Sequence, residues 1–140
     1  MASIIFYLVR HGEAENNVWH ILNSAPAKHE YPLTEKGRAQ AMKAADYLAT
    51  VRADVLYSSP ILRAKETAGI IAEATGLPIH FDDRLWEVGM GRFNEGSQLD
   101  MLKKYPDPQM RLSPDAEDGM ESMLEVRSRL DDFLDELKVK

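Results

Sequence analysis

The sequence predicts an α/β fold built on a mostly parallel sheet. Three observations point there: a short apolar run at the N-terminus, two stretches of helical period, and two further short apolar runs interleaved with them. The resulting order, strand–helix–strand–helix–strand, is the pattern of parallel pairing through helical crossovers. Ile4-Ile5-Phe6-Tyr7-Leu8-Val9 is apolar without alternation, which predicts a strand buried on both faces. Residues 11 to 32 have no clean period and contain Asn16, Asn17, Asn23, Pro26 and Pro32, so a long loop with room for one helical turn is expected. Thr34 is a good N-cap and Glu35 suits the positive end of a helix dipole. Ala39, Met42, Ala45 and Leu48 then recur at helical spacing, predicting a helix from about Glu35 to about Val51. Asp54 to Ser58 reads as a strand. Ser59-Pro60 suggests a cap followed by a first-turn proline, opening a helix through Ile70 and Ile71 that ends near Gly76. Leu77 to Phe81 reads as the third strand. Residues 82 to 98 are glycine-rich and irregular, as expected of a site-forming loop. A short helix is expected from Gln98 to Lys104, stopped by Pro106. Asp118 with Glu121 resembles a capping box, and Met120, Met123, Leu124, Leu130, Phe133, Leu134 and Leu137 mark an amphipathic helix to about Lys138. The methionines at helical spacing are expected in the core. There is no internal repeat, low-complexity tract or linker, so residues 1–140 are read as one domain.

Composition narrows the function classes. A chain of 140 residues, 44% hydrophobic and 29% charged, suits a soluble globular domain. No apolar run approaches the roughly 20 residues of a membrane span, and the N-terminus has no signal-peptide pattern. Cysteine is absent, so no disulfide framework or cysteine-type zinc site is expected. Cytoplasmic localisation is the default expectation, with no membrane partner. The formal net charge of −6 argues against a nucleic-acid partner. It leaves room for a small phosphorylated metabolite, because two or three arginines reverse the local field of a cleft.

Chemistry-bearing residues cluster where predicted strands end, the place where open α/β sheets bind ligands. Arg10-His11-Gly12-Glu13 directly follows the first apolar run. This pairing suits attack of an imidazole nitrogen on phosphorus while a guanidinium holds the oxygens. Ser58-Ser59-Pro60 with Arg63 offers an arginine beside a helix N-terminus. Leu85-Trp86-Glu87 and the Gly91–Gly96 stretch supply a carboxylate.

The stretches LVRHGEAENN, PLTEKGRAQA, SSPILRAKETA and the looser LWEVGMGRFNEG, followed by GMESMLEVRSRL, resemble the histidine phosphatase superfamily, which includes the cofactor-dependent phosphoglycerate mutases. The resemblance implies a three-layer α/β/α phosphoglycerate mutase-like fold. It implies catalytic roles for His11, as the nucleophile that becomes a phosphohistidine, and for Glu87, as the general acid. It implies substrate binding by Arg10, Asn17 and Arg63. No metal and no cofactor enter this scheme. The loop around Glu87 is one residue longer than the family pattern, which makes Glu95 a rival carboxylate. Taken alone, His11 reads as structural and Arg63 as a solvated charge; the surrounding stretches reverse both readings. Ser58 and Ser59 read as capping residues rather than nucleophiles, His20 and His29 as loop residues of which either could line the substrate side, and Asp131 to Glu136 as a solvated helix face.

The family pattern also carries a second catalytic histidine on a strand beyond the last helix. His20, His29 and His80 do not replace it, so the chain is expected to be incomplete at the C-terminus and to lack the C-terminal strands. In the family sheet that strand lies between those leading to His11 and to Ser59. Its loss is expected to leave unpaired backbone on both, open to direct pairing, to a homodimer or to a domain swap. The leading expectation is a phosphomonoester hydrolase working through a phosphohistidine. A cofactor-dependent phosphoglycerate mutase is the first alternative, and an inactive phosphate-binding fragment the second.

Overall fold

The computed structural model describes residues 4–139. A four-residue helical turn, α1 (Glu15–Val18), interrupts the long first loop. α2 (Glu35–Leu48) follows with Thr34 as its cap, the hydroxyl accepting from the Gly37 N–H at 3.0 Å. β1 (Leu56–Ser58) and β2 (Ile79–Phe81) pair in parallel, Leu56 opposite Ile79 and Ser58 opposite Phe81. The crossover between them is α3 (Leu62–Thr75), closed by Gly76 in the left-handed conformation that glycine adopts without steric cost. Two 3₁₀ turns, Asp83–Leu85 and Gly91–Phe93, lead to α4 (Gln98–Lys104), capped by Ser97. Two more, Pro108–Leu112 and Ala116–Asp118, precede α5 (Met123–Val139).

The core lies between α2 and α3 and continues onto β1. Ala45, Leu48 and Ile71 are buried together, with Val51, Leu56 and Ile70 against them. Ala14, Leu33 and Ala41 form a neighbouring cluster that fixes the first loop to α2. A third cluster, Phe93, Met101 and Tyr105, roots α4 under the glycine-rich loop. α5 reaches β1 through an edge-on contact of Phe133 with Tyr57, ring centroids 5.2 Å apart.

Several expectations need correction. Ile4 to Val9 is not a buried strand: it has no strand assignment and all six side chains are exposed, Leu8 at 93%. A both-faces-buried strand needs a ladder neighbour and a covering layer on each side. Among the described residues the sheet contains β1 and β2 alone, so this segment has neither. α3 begins at Leu62 rather than at Pro60, because Ile61 is extended (ψ 140°) and is itself the N-cap. The Ser59 hydroxyl instead accepts from the Ile61 N–H, closing the turn ahead of the helix. The buried stripe of α2 is Gly37, Ala41, Ala45 and Leu48, one position off the spacing through Met42, which is 58% exposed. The capping box of α5 is Ser122 with Glu125, each bonding the other's backbone N–H (3.2 and 2.7 Å), and not Asp118 with Glu121.

One close approach decides where the first loop sits. A Cβ added to Gly37 would stand 1.9 Å from the Glu13 carbonyl oxygen, and one added to Gly12 would stand 2.2 Å from the Gly37 oxygen. Hydrogen bonds hold the contact: Thr34 N–H to Glu13 O at 2.9 Å, and Gly12 N–H to Thr67 Oγ1 at 3.1 Å. In an ordinary helix, alanine in place of glycine gains about 1 kcal/mol. Here overpacking against rigid backbone outweighs that gain, at about 1–3 kcal/mol. Gly37→Ala is therefore expected to lower the thermal midpoint by several degrees, whereas a midpoint equal to or above the parent's would show that the contact is not constraining.

Candidate functional site

The Gly12–Gly37 contact and the Gly12 bond to Thr67 hold His11 against the first turns of α3. Arg63 projects from the first of these and is only 3% exposed. Its Nε donates to His11 Nε2 at 3.1 Å, its Nη1 to Asn23 Oδ1 at 2.8 Å and one Nη2 hydrogen to the Asn23 carbonyl at 3.2 Å. Glu87 Oε2 lies 3.5 Å from Nη2 and completes the ring of partners. Burying a guanidinium is costly unless its donors are met; here a backbone oxygen, an amide, a carboxylate and an imidazole meet them.

The protonation state of His11 follows from its two neighbours. Gly12 O lies 2.7 Å from Nδ1 and can only accept, so Nδ1 carries the hydrogen. Arg63 Nε can only donate, so Nε2 keeps its lone pair. The imidazole is thus held neutral, with Nε2 as its basic nitrogen. Burial pushes its pKa below the ordinary value, and the charges of Arg63 and Arg10 act in the same direction. The Gly12 carbonyl and Glu87 oppose this without reversing it. Burial likewise lowers the Arg63 pKa, against the raising influence of Glu87.

Arg10, His11, Asn17, Arg63 and Glu87 all line one cavity of about 270 Å³. His20 and Gln98 also line it. Arg10 is solvent-exposed beside the buried pair. The Asn17 Oδ1 accepts from the Ala14 N–H at 2.9 Å, bracing α1, which leaves the Nδ2 hydrogens as its remaining donors. Glu95 does not line this cavity. Its carboxylate is taken by the Asn23 amide at 2.8 Å, the Tyr31 hydroxyl at 2.9 Å and His29 Nδ1 at 3.2 Å. Of the two carboxylates considered from sequence, Glu87 is the one at the cavity. Of the two loop histidines, His20 lines it and His29 is turned to Glu95.

Three contributors were missed in the sequence. Asn23 grips Arg63 twice, yet lies in a loop without period, and nothing in the sequence marks it. Thr67 takes the Gly12 N–H and donates to the Arg63 carbonyl at 2.8 Å. Its position one helical turn after Arg63 was a usable signal. Glu121 was taken for a cap. It instead accepts from the Gly89 N–H at 2.9 Å and pairs with Arg129 at 2.6 Å, holding the loop that carries Glu87.

With this geometry in place, comparison with known proteins is informative. The model of the histidine phosphatase superfamily (branch 1) matches residues 6–140. A probable phosphoglycerate mutase of Salmonella paratyphi C is 37% identical over 129 residues, a match covering 89% of this chain and 58% of that protein. This chain thus spans somewhat more than half the length of such curated relatives. Among solved structures, a mycobacterial glucosyl-3-phosphoglycerate phosphatase in complex with VO3 superposes with a TM-score of 0.78 at 27% identity, covering 92% of this chain and 62% of that one. The YhfR protein of Bacillus stearothermophilus superposes with a TM-score of 0.77 at 28% identity, covering 91% and 64%. The sequence match along nearly the whole chain and the agreement in fold make this protein a member of the histidine phosphatase superfamily.

Proposed function

We propose that the protein of which this chain forms the site is a phosphomonoester hydrolase acting on a small phosphorylated metabolite through a phosphohistidine. The observation that carries this reading is the Arg63–His11 contact, which presents a neutral imidazole with its Nε2 lone pair facing an arginine-lined cavity. Nε2 attacks phosphorus as the ester oxygen leaves. The Gly12 carbonyl, bonded to Nδ1–H, stabilises the positive charge that develops on the ring. The Arg63 Nε–H turns from Nε2 to a phosphoryl oxygen, and Arg10 and the Asn17 amide add donors. Such preplaced donors supply most of the stabilisation in phosphoryl transfer. Glu87 protonates the leaving oxygen. In the second step it takes a proton from water as the water oxygen displaces Nε2, giving free phosphate and restoring His11. The cavity volume of about 270 Å³ sits near the lower end of small-molecule sites, which run to roughly 300–1,000 Å³, and suits a compact substrate.

The name of the Salmonella relative favours a second reading, a phosphoglycerate mutase, here taken as the cofactor-dependent type that the sequence motifs resemble. Both readings share the phosphohistidine and differ in its fate. Incubation of the natural full-length protein with 3-phosphoglycerate separates them: free phosphate supports the hydrolase, and isomerisation dependent on 2,3-bisphosphoglycerate supports the mutase. The Asn17–Leu33 loop, which lacks the mutase pattern, favours the hydrolase. Phosphate binding without turnover would instead point to a binding module.

His11→Ala is expected to abolish turnover and the acid-labile phosphoenzyme seen after a brief incubation with labelled substrate; full activity in that variant would remove the nucleophile assignment. Arg63→Lys keeps the charge but loses the planar fork. Each charged hydrogen bond contributes about 1.5–3 kcal/mol, so orthovanadate affinity is expected to fall at least about tenfold in a titration, and an unchanged Kd would contradict the assignment. The depressed His11 pKa sets a sign for pH. The nucleophile is lost as pH falls through the folded-state pKa, so the acid limb of kcat/KM is expected to have its midpoint below about 6.5. A limb centred above that value would assign it to another group.

A further inference from the structure

Glu95 occupies a backbone conformation that its residue type avoids. Its φ of 63° lies in the left-handed region, uncommon for a side chain with a Cβ and costing roughly 1–2 kcal/mol. Gly96, which would adopt it freely, is the next residue. The segment is fixed by pairing with the first loop: Glu95 N–H to Leu22 O at 2.8 Å, Leu22 N–H to Gly96 O at 2.9 Å and Gln98 N–H to His20 O at 2.8 Å. That conformation sends the carboxylate under the loop of residues 23–31. There Oε1 accepts from Asn23 Nδ2 at 2.8 Å and from the Lys28 N–H at 3.3 Å, while Oε2 takes the Tyr31 hydroxyl and His29 Nδ1.

The bond to Asn23 has a directional consequence. A side-chain amide has one accepting and one donating end, and the wrong end turned toward a guanidinium repels it. A carboxylate can only accept, so Glu95, at 2.8 Å, together with the more distant His29 carbonyl at 3.2 Å, fixes the Asn23 NH2 group away from Arg63. The Asn23 oxygen is thereby forced toward Arg63 Nη1, where it accepts at 2.8 Å. Arg63 in turn contacts His11 Nε2. The chain Glu95–Asn23–Arg63–His11 runs from a carboxylate outside the cavity to the imidazole inside it, with every donor and acceptor assigned.

We infer that Glu95 is a positioning residue for phosphoryl transfer: it locks the orientation of the Asn23 amide and so aims the Arg63 guanidinium across His11. This rests on the phosphohistidine reading above, and it assigns Glu95 a role without contact to substrate. Holding the chain through a fixed amide accounts for a strained glutamate where glycine would fit the backbone better.

Glu95→Gln is the direct test, since the amide keeps size but leaves one accepting oxygen where two now serve Asn23, Lys28, Tyr31 and His29, so the Asn23 amide loses its fixed setting. In the natural full-length protein, kcat/KM is expected to fall at least tenfold, with a thermal midpoint within a few degrees of the parent's. His29→Ala and Tyr31→Phe, which remove the side-chain partners of the carboxylate other than Asn23, are expected to stay within twofold. In an Asn23→Ala background, adding Glu95→Gln is expected to cost no more than a further twofold, because the relay is already cut. Glu95→Gly, suited to the left-handed backbone, removes the carboxylate in a second way and carries the same expectation should the glutamine variant not fold. A readout that needs no turnover is the Arg63 Nε–H resonance in the ¹⁵N-labelled 140-residue chain. It is expected to shift or vanish on either Glu95 substitution and to be unmoved by His29→Ala. The proposal is overturned if Glu95 variants retain parental kcat/KM, if they are as damaging in the Asn23→Ala background as alone, or if the Arg63 resonance ignores them. His11→Ala run in parallel separates the readings: loss of activity there with intact Glu95 variants sinks this inference alone, and retained activity sinks the phosphohistidine reading itself.

Discussion

Backbone meets backbone at Gly12 and Gly37, with no room for a Cβ on either residue, and the position of His11 depends on that contact. The loop bearing Arg10-His11-Gly12 would otherwise have to stand off α2 by the width of a side chain. Around the contact three sequence stretches interlock. Glu13 takes the Thr34 hydroxyl at 2.9 Å and Lys36 at 2.9 Å, while its N–H donates to Gln40 Oε1 at 2.8 Å. Glu66 accepts from the Leu33 N–H at 2.6 Å and pairs with Arg38 at 2.5 Å. These exposed or half-exposed ion pairs contribute little stability individually. Their value is register: they fix the loop, the N-terminus of α2 and the first turns of α3 in one arrangement, from which Arg63 reaches His11.

The site itself trades solvation for preorganisation. Arg63 is buried and held by Asn23, Glu87 and His11, so its place is set before any ligand enters. Low effective dielectric around it strengthens every contact to an incoming anion. The same burial keeps His11 neutral, which is the form that can attack phosphorus. A chain of net charge −6 thus presents a locally cationic cavity, and the charge relevant to its ligand is that of the lining rather than of the molecule.

The region after β2 is held differently. Between β2 and α5 it has 3₁₀ turns and the short α4 instead of long elements, and ionic groups do the tying. Asp118 is 1% exposed and meets Lys104 at 2.8 Å together with Arg92 and the Tyr105 hydroxyl. Burial pushes its carboxyl pKa up, but the hydrogen bonds from Lys104, Tyr105 and Arg92 outweigh this and hold it at about 2. Glu121 with Arg129 does similar work beside Glu87. These carboxylates read in sequence as helix-capping residues, because spacing alone cannot tell a cap from an anion that finds its cations elsewhere in the fold.

The sequence by itself determined the order of the helices, the bounds of α2 and α4 to within a few residues, the parallel pairing of β1 with β2, and four of the residues that converge on the cavity, Arg10, His11, Asn17 and Arg63. These follow from local period and from short motifs whose spacing survives any packing. It misjudged Ile4 to Val9, because a continuous apolar run reports what a segment could bury and not whether a neighbour is present to bury it. It left Glu87 and Glu95 as rivals, since both lie in one irregular loop where the backbone path decides direction. Only the tertiary structure turned one carboxylate to the cavity and the other beneath Asn23, because those orientations depend on contacts with residues 24 and 72 positions away in the chain, beyond the reach of any local rule.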